Sequence, residues 1–184
     1  MKVKVLLLAV FAFVAMNVKG QDLKFGAKAG LGISNMGGDA DAKSKVGFHF
    51  GGFAQYGINE NMLIQPEVLF SFEGAKSKSD DKSINMTYLN IPIMVVYKIG
   101  AVQGLSVEAG PQLGFLLGAK YDGNDVKDSF KGTNFSLDLG AGYAINDNIS
   151  AGIRYCIGLS DINDIGLGGS ITESNFMISL AYKF

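Results

Sequence analysis

Apolar and polar residues alternate with a period of two through most of the chain from Leu23 onward. Successive side chains of a strand point to opposite faces, so this pattern predicts strands with one apolar and one polar face. Eight such runs occur, over residues 23–33, 46–56, 62–72, 89–99, 105–117, 135–145, 149–159 and 176–184. The sequence therefore predicts an all-β fold of eight antiparallel strands in up-and-down order.

The two faces of these runs differ in charge. The apolar face carries no charged residue, whereas the alternate positions include Lys28, Glu67 and Arg154. A soluble barrel turns its apolar face inward and a membrane barrel turns it toward lipid, so alternation alone fits both. Three further features favour a transmembrane β-barrel.

The first feature is the length of the connections. The alternation predicts long connections at 34–45, 73–87, 118–133 and 160–174, separated by short ones at 57–61, 100–103 and 146–148. Outer-membrane barrels have short periplasmic turns and longer outer loops. An even number of strands puts both chain ends beside the short turns. We therefore expect both termini in the periplasm.

The second and third features are aromatic. Tyrosine and phenylalanine on the apolar face gather near both ends of the runs, as in the interfacial girdles of membrane barrels. The last run ends on Tyr182 and Phe184. A terminal aromatic residue on an alternating strand is typical of the assembly signal bound by the barrel-insertion machinery. We expect that machinery and outer-membrane lipid as partners.

The N-terminus has the features of a secretory signal peptide. Lys2 and Lys4 precede an apolar stretch from Val5 to Met16, and small residues lead to Gly20. The stretch is too short to span a membrane as a helix. The sequence predicts a cleaved signal peptide over residues 1–20 and an outer-membrane barrel domain over residues 21–184. Export through the inner membrane follows from this organisation.

Composition narrows the function further. Removing Lys2, Lys4 and Lys19 with the predicted signal peptide leaves 13 basic and 17 acidic residues, a net charge of about −4, which argues against nucleic acid as a partner. The single cysteine, Cys156, cannot form an internal disulfide, and we expect it to be buried and unreactive. Pro66, Pro92 and Pro111 each interrupt a predicted strand, and we expect local bulges there because proline removes a ladder donor.

The alternation places a cluster of polar and charged side chains at similar height on the inner face. An eight-stranded lumen is wide enough only for side chains, so these groups must pair with one another. We interpret them as a structural polar plug, with a gated ion or proton path as the alternative. The cluster comprises Lys28, Gln65, Glu67, Glu108, Gln112 and Arg154.

Two other arrangements carry weaker signals. The sole histidine, His49, faces the lumen near a loop with serine and aspartate, which in principle permits a Ser-His-Asp arrangement. The acidic loop 121–130 lacks the glycine and glutamate spacing of a calcium loop. We predict neither an enzyme nor a metal or cofactor site. The residues of these arrangements are Ser34, Asp39, Asp41, Ser44 and His49, and Asp122, Asn124 and Asp128.

Several segments carry a family resemblance: LKFGAKAGLGISN (23–35), YLNIPIMVVYK (88–98), VEAGPQLGFLLGAK (107–120), LDLGAGYAI (137–145) and IRYCIGLSDIND (153–164). They resemble the PorT-like outer-membrane β-barrel family of the Bacteroidota. The resemblance implies an outer-membrane barrel with periplasmic termini and no catalytic residues, and some members are tied to secretion. We expect a structural or interaction role through outer loops or periplasmic turns, with a narrow channel for small solutes as the alternative.

Overall fold

The computed structural model describes residues 23–38, 42–77, 82–164 and 169–184, and the predicted signal peptide lies outside these residues. The described residues form nine strands and one short 3₁₀ helix, Lys127–Ser129. The strands are β1 (Leu23–Gly38), β2 (Ala42–Gly57), β3 (Met62–Ser77), β4 (Ser83–Lys98), β5 (Leu105–Tyr121), β6 (Asn124–Asp125), β7 (Thr133–Ala144), β8 (Ile149–Gly158) and β9 (Ile171–Lys183).

Eight of the strands close into an antiparallel barrel. Each pairs with its neighbours in the chain, and β1 pairs with β9 from Gly26–Lys183 to Gly38–Ile171. Strand β6 pairs only with the end of β5. Closure leaves no free edge among the eight described barrel strands. The predicted eight-stranded up-and-down barrel is confirmed.

The barrel has two distinct ends. We call the one where β1 begins and β9 finishes the terminal end, and the opposite one the loop end. Tight turns connect strands at the terminal end, where the Asn59 and Asn146 side chains accept hydrogen bonds from backbone N–H groups two residues onward, at 3.0 and 2.9 Å. Asparagine commonly stabilises turns in this way.

The prediction of four long connections at the loop end was wrong for two of them. Strands β1 to β4 each contain 16 residues and β5 contains 17, so pairing continues into segments 34–45 and 73–87. Alternation continues there with the faces exchanged: Met36 and Met86 are apolar and buried, whereas Asn35 and Asn85 are polar and exposed. Strands β7, β8 and β9 are shorter, with 12, 10 and 13 residues.

The predicted bulges at the prolines were also wrong. Around Pro66, the β2–β3 pairing passes from Phe53–Glu67 to Tyr56–Ile64, an equal number of residues on both strands. The same holds for β3–β4 at Pro92 and for β4–β5 at Pro111. Each proline interrupts the ladder on one side without shifting the register. The register shifts lie elsewhere, at Ser44/Phe48 and Thr87/Tyr88.

Between the terminal end and the extended loop-end segments, the outward face is apolar on all eight strands of the ring. Exposed tyrosines near the turns of the terminal end include Tyr56, Tyr97, Tyr143 and Tyr182. Phenylalanines gather toward the loop end, where the Phe48 and Phe72 rings stack with centroids 4.3 Å apart. Among the described residues, no helix has the length and apolar character needed to cross a membrane.

The acidic loop after β5 begins with a tight hairpin. Asp122 and Gly123 both have positive φ, 49° and 86°, and they connect the paired residues Tyr121 and Asn124. An Asp-Gly pair suits this two-residue turn because both central positions require left-handed backbone. Asp122 therefore has a structural role in the turn of this hairpin.

Candidate functional site in the barrel lumen

A cross-lumen ion pair lies at mid-height in the barrel. Arg154 on β8 donates to both oxygens of Glu67 on β3, with Nη2–Oε1 at 2.8 Å and Nη1–Oε2 at 3.0 Å. Strands β3 and β8 lie on opposite sides of the ring. Arg154 is 4 % exposed and Glu67 is 1 % exposed. Charges buried this deeply are tolerated only when they are paired and hydrogen-bonded.

Further groups complete the coordination of Glu67. Lys28 Nζ on β1 contacts Glu67 Oε1 at 2.7 Å, and Gln65 Nε2 donates to the same oxygen at 2.6 Å. Gln65 in turn accepts a hydrogen bond from Gln55 on β2. Side chains from three strands, β1, β3 and β8, therefore converge on the Glu67 carboxylate.

Two more carboxylates face Arg154. Its Nε donates to Glu108 Oε1 at 2.8 Å, and Asp138 Oδ2 lies 3.8 Å from Nη1. Gly140 on the neighbouring strand leaves the space that Glu108 occupies, because a Cβ there would lie 2.8 Å from Glu108 Oε1. These contacts connect two cations, Lys28 and Arg154, with the three carboxylates of Glu67, Glu108 and Asp138.

The structure brings five of the six predicted lumen residues into this direct network, and the sixth lies beside it. Gln112 Nε2 donates to Ser136 Oγ at 3.2 Å, and Ser136 donates to Asp138 Oδ1 at 3.1 Å. Sequence reasoning left out Asp138 and Gln55. Both residues occupy inward positions in the alternation, and this was the available signal in the sequence. Their heights along the barrel axis depend on the stagger between strands, which the alternation does not give. We refer to Lys28, Gln65, Glu67, Glu108, Asp138 and Arg154 as the lumen network.

His49 lies buried above the lumen network, away from the residues considered for a triad. Its Nε2 is 2.9 Å from Ser179 Oγ on β9, and its Nδ1 has no hydrogen-bond partner among the described residues. Asp39 and Asp41 lie outside those residues, and Ser34 instead donates to the Gly74 carbonyl at 2.7 Å. No carboxylate in the described part orients the imidazole, which a triad requires.

A buried acidic pair lies closer to the loop end. Glu73 on β3 and Glu173 on β9 are 8 % and 5 % exposed. Asn90 Nδ2 donates to Glu73 Oε1 at 3.3 Å, and the Glu173 carboxyl lies beside both Glu73 and the Tyr88 hydroxyl. Sequence reasoning missed this pair because it assigned both residues to outer loops.

An apolar core closes the lumen at the loop end. Ile162, from the connection between β8 and β9, is 1 % exposed and packs with residues from β1, β3, β4 and β5. Backbone bonds hold this connection in place: Lys131 N–H donates to Ile162 O at 2.9 Å and Ile162 N–H donates to Ile171 O at 2.8 Å. We call the set the loop-end core; it comprises Met36, Ala75, Met86, Tyr88, Leu116, Ala119 and Ile162.

The opposite half of the lumen contains a cavity of about 660 Å³ at the terminal end. Its inner end is formed by Lys28, Glu108 and Arg154 of the lumen network, and its mouth by the turns between strands. Polar side chains such as Lys24, Lys98 and Ser106 share its walls with apolar ones such as Phe53 and Leu63. The lumen is therefore an open cavity at one end, a charged layer in the middle and an apolar core at the other end.

Three other chemistry-bearing residues are Cys156, which lies opposite Asp138 in the β7–β8 ladder, and Tyr182 and Phe184 on the outer face. Cys156 is a free thiol, 5 % exposed, with Sγ 3.5 Å from Met177 Sδ. Tyr182 and Phe184 face outward with ring centroids 5.7 Å apart in an edge-to-face contact. Within residues 23–38, 42–77, 82–164 and 169–184, no cluster of three or more His, Cys, Asp or Glu residues can hold a metal ion.

Comparisons with known proteins agree with the geometry. The family model described as the outer membrane protein beta-barrel domain matches residues 5–184. No curated protein matches the chain.

Similar folds occur among solved structures. The attachment invasion locus protein Ail of Yersinia pestis has a TM-score of 0.57 at 16 % identity, covering 89 % of this chain and 100 % of Ail. Neisserial surface protein A has a TM-score of 0.57 at 17 % identity, covering 87 % and 97 % of the two chains. OprG of Pseudomonas aeruginosa has a TM-score of 0.51 at 14 % identity, covering 91 % and 99 %. Likeness at this identity concerns the fold.

Proposed function

Because the chain belongs to the outer membrane protein beta-barrel domain family, we propose that it acts as a plugged barrel with a structural or interaction role and no catalysis. Its place is the outer membrane, where the apolar outward face contacts lipid. The main observation that supports a plugged lumen is the Arg154–Glu67 ion pair across it. Side chains fill an eight-stranded lumen at this height, and the loop-end core adds a second barrier.

A channel for small solutes, the alternative function, requires a continuous water-filled path. The lumen network and the loop-end core both oppose such a path. Opening it requires separating buried charges at one level and displacing Ile162 with its loop at the other. Because both changes cost free energy, the closed barrel is favoured over an open channel, and this supports the interaction role.

We also propose an orientation and a route of assembly. Residues 1–20 act as a cleaved signal peptide, the terminal end faces the periplasm, and the loop end faces outward. The strand that ends in Tyr182 and Phe184 is bound by the barrel-insertion machinery. The outer segment 122–132, the described residues 159–164 and 169–170 between β8 and β9, and the periplasmic turns then form the surfaces that meet protein partners. The short turns and the outward-facing aromatic residues support this orientation.

A finer assignment rests on the segments quoted above. We propose that the chain is a PorT-like member from the Bacteroidota, with contacts linked to secretion or to the cell surface. Supporting segments include YLNIPIMVVYK on β4 and VEAGPQLGFLLGAK on β5. Glu108 and Gln112, which belong to the second segment, both point into the lumen.

Single-channel recording tests the plugged state. Protein extracted from the outer membrane is inserted into a planar bilayer, and current is recorded over a range of voltages. We expect no steady open conductance, because two separate layers close the lumen. A steady pore of porin size contradicts the proposal and favours the transport alternative.

Site-specific crosslinking tests the interaction role. A photoreactive residue replaces Asp125 on the outer hairpin or Asp147 in a turn of the terminal end, and replaces the lipid-facing Ile153 as the matched control. We expect a discrete protein adduct in intact cells from Asp125 or Asp147 and none from Ile153. Equal labelling at all three positions contradicts a specific contact surface.

A further inference from the structure

Three lysines converge on the cavity at the terminal end. Lys24 begins the inward face of β1, Lys183 ends that of β9, and Lys98 ends that of β4. Strands β1 and β9 are paired neighbours, whereas β4 lies across the ring. All three side chains line the cavity of about 660 Å³. Ammonium groups therefore enter the same space from opposite walls.

These lysines form no ion pair within the part of the chain that the structure describes, although Glu60 also lines the cavity and Asp147 acts on Lys183. Lys98 Nζ donates to the backbone carbonyl of Glu60 at 3.5 Å. The charges of Lys24 and Lys98 both repel Lys183, and Asp147 is a smaller opposing charge. Like charges held this close in a partly enclosed space favour an anion between them.

The other cations of the cavity are already neutralised. Lys28 and Arg154 at its inner end are bound to Glu67 and Glu108. The positive charge available to a ligand is therefore concentrated at the mouth. Hydroxyl groups of Ser106, Ser150 and Ser179 line the walls and supply neutral polar contacts.

We propose that this cavity binds a small multivalent anion carrying phosphate or carboxylate groups, with Lys24, Lys98 and Lys183 as its charged contacts. Three separated ammonium groups match several anionic oxygens better than a single halide ion. The cavity volume accommodates a molecule about the size of a disaccharide or smaller. Paired strands enclose the walls, so the anion enters and leaves through the mouth. This site is independent of the structural role proposed above.

Calorimetric titration of the detergent-purified protein tests the site, with pyrophosphate and citrate as the two anionic probes and maltose as the neutral probe. We expect binding of at least one anion, no binding of maltose, and weaker anion binding as sodium chloride is raised. The combined change Lys24→Gln, Lys98→Gln and Lys183→Gln should lower affinity at least tenfold. Failure of both anions to bind at millimolar concentration overturns the proposal.

A matched variant separates the cavity from general surface charge. Lys43→Gln, Lys76→Gln and Lys120→Gln remove the same charge from exposed positions on the loop-end half of the barrel. We expect this variant to bind the anion as the unmodified protein does. An equal loss of affinity in both triple variants overturns the site. Heat-modifiable migration verifies that each variant is folded, and single Lys98→Gln, with an expected loss of several-fold, replaces the triple variant if that one fails to fold.

Discussion

Arg154 and Glu67 connect opposite walls of the barrel through two hydrogen bonds of 2.8 and 3.0 Å. Removing the guanidinium leaves Glu67 buried with Lys28 as its remaining cation. Breaking a buried ion pair on one side costs about 3–5 kcal/mol. We expect Arg154→Ala to lower the free energy of unfolding by roughly that amount, measured by urea titration in detergent.

The double variant Arg154→Met with Glu67→Gln is the control for this prediction. It removes both charges while keeping similar volume, so it should be considerably more stable than Arg154→Ala. If Arg154→Ala unfolds at the same urea concentration as the unmodified protein, the pair does not stabilise the barrel.

For the acidic pair Glu73 and Glu173, we expect that removing one charge does not destabilise the protein, in contrast to Arg154→Ala. Glu73 and Glu173 are buried near each other without a cation partner in the described residues, so one carboxylate opposes the other. We expect Glu173→Gln to leave the urea midpoint unchanged or to raise it. Glu67→Gln, which breaks the lumen network, should lower it. A comparable loss of stability in both variants argues that Glu173 has a stabilising partner.

Asp161 gives the loop end a dependence on pH. Its Oδ1 accepts the N–H groups of Ile171 at 2.9 Å and Asn163 at 3.0 Å. These bonds, with a smaller contribution from Lys131, hold the pKa of the Asp161 carboxyl below its ordinary value of 3.8. A lowered folded-state pKa stabilises the loop fully above pH 3.8, and this stabilisation is lost as the pH falls through the folded-state pKa.

Hydrogen exchange at the Ile171 amide measures this effect. Protection, corrected for the intrinsic pH dependence of exchange, should fall below pH 3.8 in the unmodified protein. Asp161→Asn keeps an oxygen acceptor but does not titrate, so its protection should not show this step. The same acid-dependent step in Asp161→Asn assigns the titration to another group.

The sequence predicts most of what depends on alternation. Period-two parity correctly separates the inward Lys28, Glu67 and Arg154 from the outward tyrosines, because a strand allows no other arrangement. Parity does not fix where a strand ends. The predicted end of the third run at Phe72 therefore hid Glu73 one residue beyond it, although the alternation continues to that position.

Long-range contacts account for the other differences. The height of Asp138 relative to Arg154 depends on the stagger between β7 and β8, which no local pattern encodes. Burial of Ile162 depends on a loop that folds back onto four strands. The prolines retain register because antiparallel pairing on their other side continues, a cooperative effect that a rule about single residues does not include.

Substitution of Phe184 tests the proposed assembly signal separately from stability. The Phe184 side chain is 76 % exposed, and its backbone N–H donates to Phe25 O at 2.9 Å, a bond that a side-chain change retains. We expect Phe184→Ala to reduce insertion into the outer membrane several-fold, measured by the folded fraction in membrane extracts. Its stability after refolding should change by about 1 kcal/mol or less.

Tyr143→Ala is the control for the assembly signal. Tyr143 also lies exposed near the terminal end, outside the last strand. If insertion falls equally in both variants, the effect belongs to interfacial aromatic residues in general and not to the C-terminal strand.

The unequal strand lengths make the barrel wall taller on one side than on the other. Strands β1 to β5 are contiguous around the ring and contain 16 or 17 residues, whereas β8 contains 10. At about 3.3 Å per residue, one side of the wall stands roughly 10–20 Å higher than the other. A membrane protein that approaches from the side of β1 to β5 therefore contacts paired strands over the full height of the wall. One that approaches from the side of β7 to β9 can contact the loops above these shorter strands.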